Sequence, residues 1–477
     1  MSLAVITEVL EMLKIRFLTG KESREGIYEL PSTKIFNCKD IFLLSFGFVL
    51  IMISSNNIVK FIGEKIVEFD CPYYWPMSEF NPRIPDWKQL LLAMAVLGLF
   101  QFVITQLPKV RNRISFLIIV GIILVLGTNL IQGWEDGFLT PISGGGEEGG
   151  QYYHDAIKIE EPLYFLGHFE EIQPGLLTHS RTHPPGAVLL IYFLSKILKD
   201  PALISFVIAG FAVFFTMLFL NGILSTQLKE DDLSKYMTFL FLLIPSVQIY
   251  YAASIDALIA SFLLGVLFFF IYSRLSVSVI GSVIFLLLSS SLSFGFVSIL
   301  PVILGIEILR GRFFWRSCLV LMGLTVIYLI VFFVTDFNYI NSFIIASTIE
   351  NPHGFRFFSD PISYVFTRIE GIFEIILFLG PFLAVAVIRG MSIVKESNSN
   401  LLTMTYLSIV TLLAMLLTGC FRTGETARAC LFIYPYLLFP IAIYFQHIRI
   451  STKEKSRLLY LVFSQTMLMQ MFGNYFW

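Results

Sequence analysis

Residues 202–224 read ALISFVIAGFAVFFTMLFLNGIL, an apolar run that contains no charged side chain. About 20 such residues in a helix, at 1.5 Å each, cross the roughly 30 Å hydrocarbon core of a bilayer. Backbone polar groups in lipid need partners within their own segment, and a helix supplies them. The run therefore predicts a membrane-spanning helix.

Similar apolar runs recur along the chain and predict an all-α, polytopic membrane protein with about 12–14 transmembrane helices. They lie near 40–58, 89–107, 115–133, 202–224, 237–254, 256–272, 279–293, 295–309, 317–335, 371–388, 401–419, 429–446 and 457–475. The shorter run 185–198 leaves the count open, because it fits a partial or re-entrant helix as well as a crossing. We expect one transmembrane domain over residues 1–477.

The composition points the same way, with 56% hydrophobic and only 14% charged residues. A soluble chain carries about 25% charged residues, so lipid must solvate most of this surface. The few basic residues fall in short loops, so membrane lipid is an expected partner and nucleic acid is not. The cysteines have neither metal nor redox spacing.

Lysine and arginine in short loops set the orientation, since such loops stay on the cytoplasmic side. The basic residues are Lys109, Arg111, Arg113, Arg310, Arg312, Arg316, Arg389, Lys395, Arg449, Lys453, Lys455 and Arg457. This pattern predicts a cytoplasmic, partly interfacial segment at 1–39. It also predicts a large extracytoplasmic loop at 134–184, a second one at 336–370, and a third outer segment at 421–428.

The loop at 134–184 concentrates charge, histidine and glycine, whereas almost no acidic residue lies in the middle of a predicted span. Transporters tend to carry ionisable residues within their spans. The distribution therefore favours chemistry at the membrane surface over passage through the membrane.

Within this loop, Glu147 and Glu148 stand in a glycine run that lets a ligand approach closely. Glu148 and Tyr152 are four residues apart, which places them on one face of a short helix. A desolvated carboxylate there is a candidate general base, with Asp136 and Asp155 as rivals. A solvated acidic loop is the alternative interpretation.

The loop ends in Arg181 and His183 before a proline pair, Pro184–Pro185, which suits the first turn of a helix. The two basic side chains could bind an anion such as phosphate, or the segment could be only a rigid helix start.

Asp256 falls at the junction of two spans, where it serves either in a polar cavity or as a helix cap. Farther along, Arg422, Glu425 and Arg428 stand at an outer helix start. Two arginines there suit phosphate binding, and interfacial snorkelling with a surface ion pair is the alternative.

Taken in order, the loop carboxylate, the Tyr-containing helix, the Pro-Pro helix start and P…YYAASIDAL (245–258) resemble the GT-C glycosyltransferases. The closest likeness is to the bacterial branch similar to protein O-mannosyltransferases and aminoarabinose–lipid A transferases. The resemblance implies a GT-C-like fold, a polyprenyl-phosphate sugar donor, and a glycan, lipid or protein acceptor. It also implies transfer at the outer face of a bacterial inner membrane.

Carried onto this chain, the family's loop carboxylate falls on Glu148, with Glu147 adjacent, and its second acidic position falls on Asp256. The family usually has Asp in the loop, so the Glu-Glu pair is a departure. The resemblance implies no cofactor, although so many carboxylates leave a divalent metal ion as an option. The expected substrate-binding residues are Tyr152, Asp155, Arg181, His183, Arg422, Glu425 and Arg428. A polysaccharide polymerase or ligase, and a lipid or oligosaccharide transporter, are the alternatives.

Overall fold

Helices make up nearly all the regular structure, and most of them follow the apolar runs. The computed structural model describes residues 37–62, 65, 81–110, 114–144, 150–252, 254–272, 274–309, 314–393, 400–421 and 426–475. The predicted N-terminal segment 1–39 lies almost entirely outside them. The first three helices are α1 (Cys38–Ile62), α2 (Trp87–Val110) and α3 (Ile114–Leu130).

The segment predicted as a large loop, 134–184, consists of short helical pieces. They are a π-helical turn Glu135–Leu139, α4 (Thr140–Ser143), α5 (Tyr152–Ile157), α6 (Pro162–Gly167), α7 (Phe169–Ile172), a 3-10 turn Gln173–Gly175, and α8 (Thr178–Thr182). Gly150 lies at φ +67°, and a Cβ there would come within 3.2 Å of the Thr178 side chain. The glycine therefore lets α5 and α8 begin side by side.

The helices that follow run from the proline pair to the middle of the chain. They are α9 (Pro185–Ile197), α10 (Pro201–Leu228), α11 (Asp231–Leu242), α12 (Pro245–Tyr250), α13 (Ile255–Phe270), α14 (Leu275–Leu292), a 3-10 segment Phe294–Ile299, α15 (Leu300–Leu309) and α16 (Trp315–Thr335).

The C-terminal third contains α17 (Tyr339–Glu350), α18 (Arg356–Ser359), α19 (Pro361–Leu379), α20 (Pro381–Ile393), α21 (Asn400–Leu417), α22 (Thr426–Ala429), a 3-10 turn Leu431–Ile433, α23 (Tyr434–Ile448) and α24 (Thr452–Phe472). The second predicted loop, 336–370, thus holds α17, α18 and the first half of α19. A two-residue strand pair joins β1 (Asn81–Pro82) to β2 (Gly473–Asn474) in antiparallel register.

Six helices in the described part of the chain are long and apolar enough to cross a bilayer, and the bent pair α19–α20 makes up to seven. They are Trp87–Gln106, Pro201–Leu228, Leu275–Leu292, Trp315–Thr335, Asn400–Leu417 and Leu431–Ile448. Shorter apolar helices, including α3, α9 and α13, lie among them. The chain is therefore an all-α, multi-pass integral membrane protein, and the finer count of 12–14 spans stays a prediction.

The core lies where α10 packs against α3 and α13, and where α13 packs against α14. Residues 233–252 are buried along their whole length, so α11 and α12 stand inside the bundle. By contrast, α16 leaves most of its apolar side chains exposed, with Phe333 at 79%. Such an apolar outer surface suits lipid as its solvent.

Two predicted spans are broken by backbone chemistry. The run predicted as one straight helix at 371–388 is divided, because α19 and α20 meet at 99°. Gly380 at the joint lies at φ +99°, a conformation open mainly to glycine, and Pro381 starts the next helix without an N–H. The span predicted at 237–254 is likewise divided, since Pro245 ends α11 and starts α12.

Arg83 ties two helix ends together just before α2. Its guanidinium donates to the carbonyls of Ile131 and Gln132, which follow α3, at 2.8 and 3.1 Å. It also donates to the carbonyls of Gln470 and Met471 in the last turn of α24, at 3.0 and 3.3 Å. The carbonyls of Gln470 and Met471 belong to the last turn of α24, where the helix supplies few donors, so the arginine caps this end and links it to the backbone that follows α3.

Candidate functional site

A cavity of about 920 Å³ lies between the 150–183 region, the start of α13, residues 293–297, α17–α18, and residues 415–421 and 428–432. Its size falls within the range of small-molecule sites. One part of the wall is apolar and aromatic, with Phe294, Phe343 and Phe432. The charged, histidine and tyrosine side chains in the lining are Tyr152, His179, His183, Tyr250, Asp256, Tyr339, Glu350, Arg356, Arg428 and Tyr475.

Asp256 and Arg428 meet in the cavity wall although they are far apart in the sequence. The Arg428 Nε lies 3.4 Å from the Asp256 Oδ2, and the two side chains are 16% and 23% exposed. Asp256 also accepts a hydrogen bond from the Ser254 hydroxyl at 3.2 Å. This contact places two of the segments singled out in the sequence on the same side of the bundle.

Ser254, and not Asp256, is the residue whose side chain caps α13. The side chain of Ser254 accepts from the Asp256 amide at 3.0 Å and so caps α13. The Asp256 carboxylate is therefore available to Arg428 and to the cavity.

Tyr152 and two histidines form another part of the wall. The ring of Tyr152, at the start of α5, lies 5.5 Å from the ring of His183 and 5.9 Å from that of His179. The His183 Nδ1 is 3.0 Å from the His179 carbonyl oxygen, which orients the imidazole. The arrangement offers flat rings and polar edges, a combination suited to a polar ligand with apolar faces such as a sugar.

Two of the predicted substrate-binding residues have structural partners away from the cavity lining. Asp155 is 7% exposed, and its Oδ2 accepts from the Leu177 amide at 3.0 Å. The Arg181 carbonyl accepts from the Gln173 side chain at 2.9 Å, and its guanidinium lies outside the lining.

Four other predicted site residues, Glu147, Glu148, Arg422 and Glu425, lie outside the described residues. Among the residues that the structure does describe, no group of three or more His, Cys, Asp or Glu side chains is arranged to hold a metal ion.

Buried charges on α19 were missed by the sequence analysis. Arg368, Glu370 and Glu374 are 7%, 1% and 2% exposed, so this helix carries buried charges that hydropathy did not predict. The sequence pattern that indicates them is RIEGIFE (368–374), in which three charged residues are spaced among apolar ones. It was overlooked because residue 370 was predicted to be the end of a loop.

Two of these buried charges, Arg368 and Glu374, form hydrogen bonds with protein backbone. Arg368 donates to carbonyl oxygens at 416–421, and Glu374 accepts from the Thr426 amide at 3.1 Å. The two side chains therefore support the segment that carries Arg428.

Comparison with known families finds no matching family model, and comparison with curated proteins finds no matching sequence. The fold and the cavity define the class: a multi-pass, all-α integral membrane protein with one mixed polar and aromatic cavity of about 920 Å³ in its described part. A narrower assignment rests on the chemistry of the cavity.

Proposed function

We propose that this protein is a GT-C-like glycosyltransferase of the bacterial inner membrane. We also propose 12–14 spans in all, because each span needs about 20 apolar residues. The protein moves a sugar from a polyprenyl-phosphate donor to a hydroxyl of a glycan, lipid or protein acceptor at the extracytoplasmic face. The observation that carries the proposal is the Asp256–Arg428 pair in a cavity whose other walls hold Tyr152 and His183.

The cavity has the mixed chemistry that such a donor requires. A polyprenyl phosphate joins an apolar chain to an anion, and the lining joins phenylalanines to the partly exposed guanidinium of Arg428. Arginine suits phosphate because its planar donor fork matches the oxygens. Tyr152 and His183 offer ring faces and polar edges to the sugar or the acceptor.

In the proposed reaction, an acceptor hydroxyl oxygen attacks the anomeric carbon of the donor sugar. The hydroxyl proton passes to a loop carboxylate, which the resemblance assigns to Glu148. The bond between the anomeric carbon and the phosphate oxygen breaks, and its electron pair leaves with the polyprenyl phosphate. Arg428 stabilises this anion while Asp256 orients the guanidinium, and the single displacement inverts the anomeric configuration.

A transporter is the second candidate, favoured by the 99° break between α19 and α20. Broken helices at mid-membrane are common around transporter substrate sites. However, Arg368 donates to backbone carbonyls at 416–421 and Glu374 accepts from the Thr426 amide, and both side chains lie outside the cavity lining. The transferase therefore remains the better-supported proposal. A polymerase or ligase differs in its donor, a diphosphate-linked oligosaccharide, and the same assay separates it.

The test is release of radiolabelled sugar from pooled polyprenyl-phosphate donors in membranes with and without the protein. We expect label to leave the lipid only with the native protein. Loss of one charge-stabilising donor lowers kcat by about 10²–10³ in comparable sites. Arg428→Ala should show a loss of that size, and Arg428→Lys a smaller one because a point charge lacks the donor fork.

Matched controls replace residues of the same type away from the cavity. Asp231, whose side chain is 63% exposed, is the control position for Asp256→Asn. Arg457, whose side chain is 50% exposed, is the control position for Arg428→Ala. Asp231→Asn and Arg457→Ala should keep full activity. Absence of release from every monophosphate donor would contradict the proposal and direct the search to diphosphate-linked donors, then to flipping assays.

A further inference from the structure

Arg368 on α19 binds the end of a different helix. Its Nη1 donates to the carbonyls of Leu416 and Cys420 at 2.7 and 2.9 Å, and its Nη2 donates to the Phe421 carbonyl at 2.5 Å. The Tyr364 hydroxyl, one turn earlier on α19, donates to the Leu417 carbonyl. Together they bind carbonyls in the last turn of α21 and in the turn that follows it, where a helix supplies few donors of its own.

The backbone that Arg368 holds has an unusual conformation. Gly419 lies at φ +90° and Phe421 at φ +64°, and a left-handed residue other than glycine costs free energy. The turn must therefore be held by its surroundings, and the guanidinium bonded to both Cys420 and Phe421 supplies that restraint.

Glu374, farther along the same helix, binds the start of α22. Its Oε2 accepts from the amide of Thr426, the first residue of α22, in a buried contact. Gly371 makes the approach possible, since a Cβ there would come within 3.0 Å of the Thr426 hydroxyl. Thr426 is two residues before Arg428, so this contact lies close to the arginine in the cavity.

We propose that Arg368 and Glu374 are positioning residues. They bind the backbone on either side of 422–425 and so fix the Arg428 guanidinium against Asp256. Both lie outside the cavity lining, so they act through Arg428 and contact no substrate. Their effect on kcat rests on the proposed transferase function. Their effect on the conformation of the turn at Cys420 and Phe421 does not depend on that function.

The first test is a double-mutant cycle on sugar transfer. Glu374→Ala removes the acceptor for the Thr426 amide, whereas Glu374→Gln keeps an oxygen in its place. We expect Glu374→Ala to lower kcat about tenfold with KM less affected, and Glu374→Gln to stay within about threefold of the native protein. In an Arg428→Ala background, Glu374→Ala should change kcat less than about twofold, because a residue that acts through Arg428 has nothing left to position.

The second test needs no activity. Cys420 is exposed and lines the cavity, while Cys38 and Cys430 are buried. In a Cys71→Ser/Cys318→Ser background, the rate of Cys420 modification by a water-soluble maleimide reports the arrangement of the turn. Arg368→Lys keeps the charge but cannot reach three carbonyls at once, and we expect it to change that rate at least about fivefold.

Glu307 provides the matched control, because it is another buried carboxylate that holds a backbone amide. It is 3% exposed, and its Oε2 accepts from the Ser317 amide at 3.0 Å and from the Ser317 hydroxyl at 2.8 Å. Glu307→Ala should leave the Cys420 modification rate unchanged. It should also lower transfer by the same factor with and without Arg428→Ala.

The outcomes separate the two proposals. If the native protein transfers no sugar, the proposed function fails, and the maleimide rates alone decide the positioning role. Additive losses in the cycle, or a Cys420 rate in Arg368→Lys that differs from native by less than about fivefold, would overturn the positioning role even in an active transferase.

Discussion

At the scale of single residues, Asp155 and Asp256 show how neighbouring groups give different roles to two carboxylates that the sequence places among the candidate site residues. Asp155 is buried and accepts from the Leu177 amide. Asp256 stands partly exposed in the cavity and pairs with Arg428. The first carboxylate therefore holds the loop between α5 and α8, and the second can meet a ligand.

Substitutions at Asp155 should accordingly behave as structural changes. Asp155→Asn keeps an oxygen for the Leu177 amide, and we expect sugar transfer within about threefold of native. Asp155→Ala leaves that amide without its acceptor, which should lower the free energy of unfolding by roughly 1–3 kcal/mol. Thermal unfolding in detergent and the transfer assay measure the two effects. A strong loss of transfer in Asp155→Asn at native stability would return this residue to the substrate-binding set.

At the scale of elements, the sequence predicts straight helices well and broken ones poorly. The run 202–224 needs only its own apolar side chains to form α10, and the helix predicted there is confirmed. The run 371–388 is equally apolar, but Gly380 and Pro381 divide it, and the angle between the halves depends on what each half packs against. Hydropathy records no such packing, so the break was missed.

A side chain at position 380, where α19 and α20 meet, should destabilise the fold. The φ of Gly380, +99°, is strained for other residues, and a Cβ would come within 3.1 Å of the Gln465 side-chain oxygen. We expect Gly380→Ala to lower the free energy of unfolding by roughly 1–3 kcal/mol. Gly98, inside α2 with no atom within 4 Å of an added Cβ, is the control. Gly98→Ala should be neutral or stabilising by up to about 1 kcal/mol, and equal Tm losses in both variants would refute the argument.

Arg83 joins elements that are distant in sequence, because it caps the end of α24 and binds the backbone that follows α3. Arg83→Ala removes the guanidinium from four carbonyls, of which, within the described part of the chain, only that of Gln470 keeps a side-chain donor, Gln132. We expect a loss of roughly 2–4 kcal/mol in the free energy of unfolding. Arg83→Lys should fall between, since one ammonium satisfies fewer of them. Unfolding followed by helical circular dichroism gives the comparison, and a native Tm in Arg83→Ala would show that water replaces the guanidinium.

At the scale of the whole molecule, the sequence predicts the solvent and the class but not the assembly of the cavity. Composition alone indicates a multi-pass membrane protein, as found. Asp256 and Arg428 were each noticed in their own segments, yet nothing in the sequence pairs them. Arg368 and Glu374 were missed because their partners are backbone groups, which any sequence could supply.

The orientation of the whole molecule predicts which side reaches the cavity. A membrane-impermeant maleimide should label Cys420 in intact spheroplasts of the Cys71→Ser/Cys318→Ser protein, because the segment 421–428 is predicted to face outward. Lys453, exposed and predicted to face the cytoplasm, becomes the control as Lys453→Cys in a protein that also carries Cys420→Ser, and it should be labelled only after permeabilisation. The reverse pattern would invert the topology. Polyprenyl-phosphate donor should slow Cys420 labelling, because the thiol lines the same cavity.

The buried charges of α19 also constrain how the chain enters the membrane during synthesis. The carbonyls that Arg368 needs lie 48, 52 and 53 residues later, and the amide that Glu374 needs lies 52 residues later. At about 5–20 residues per second, the ribosome takes roughly 3–10 s to make that stretch. An arginine at the centre of an inserting helix costs about 2.5–3.5 kcal/mol. We therefore predict that α19 completes its integration only after the later segment has emerged, so that one part of the chain is settled in the membrane by another part translated seconds afterwards.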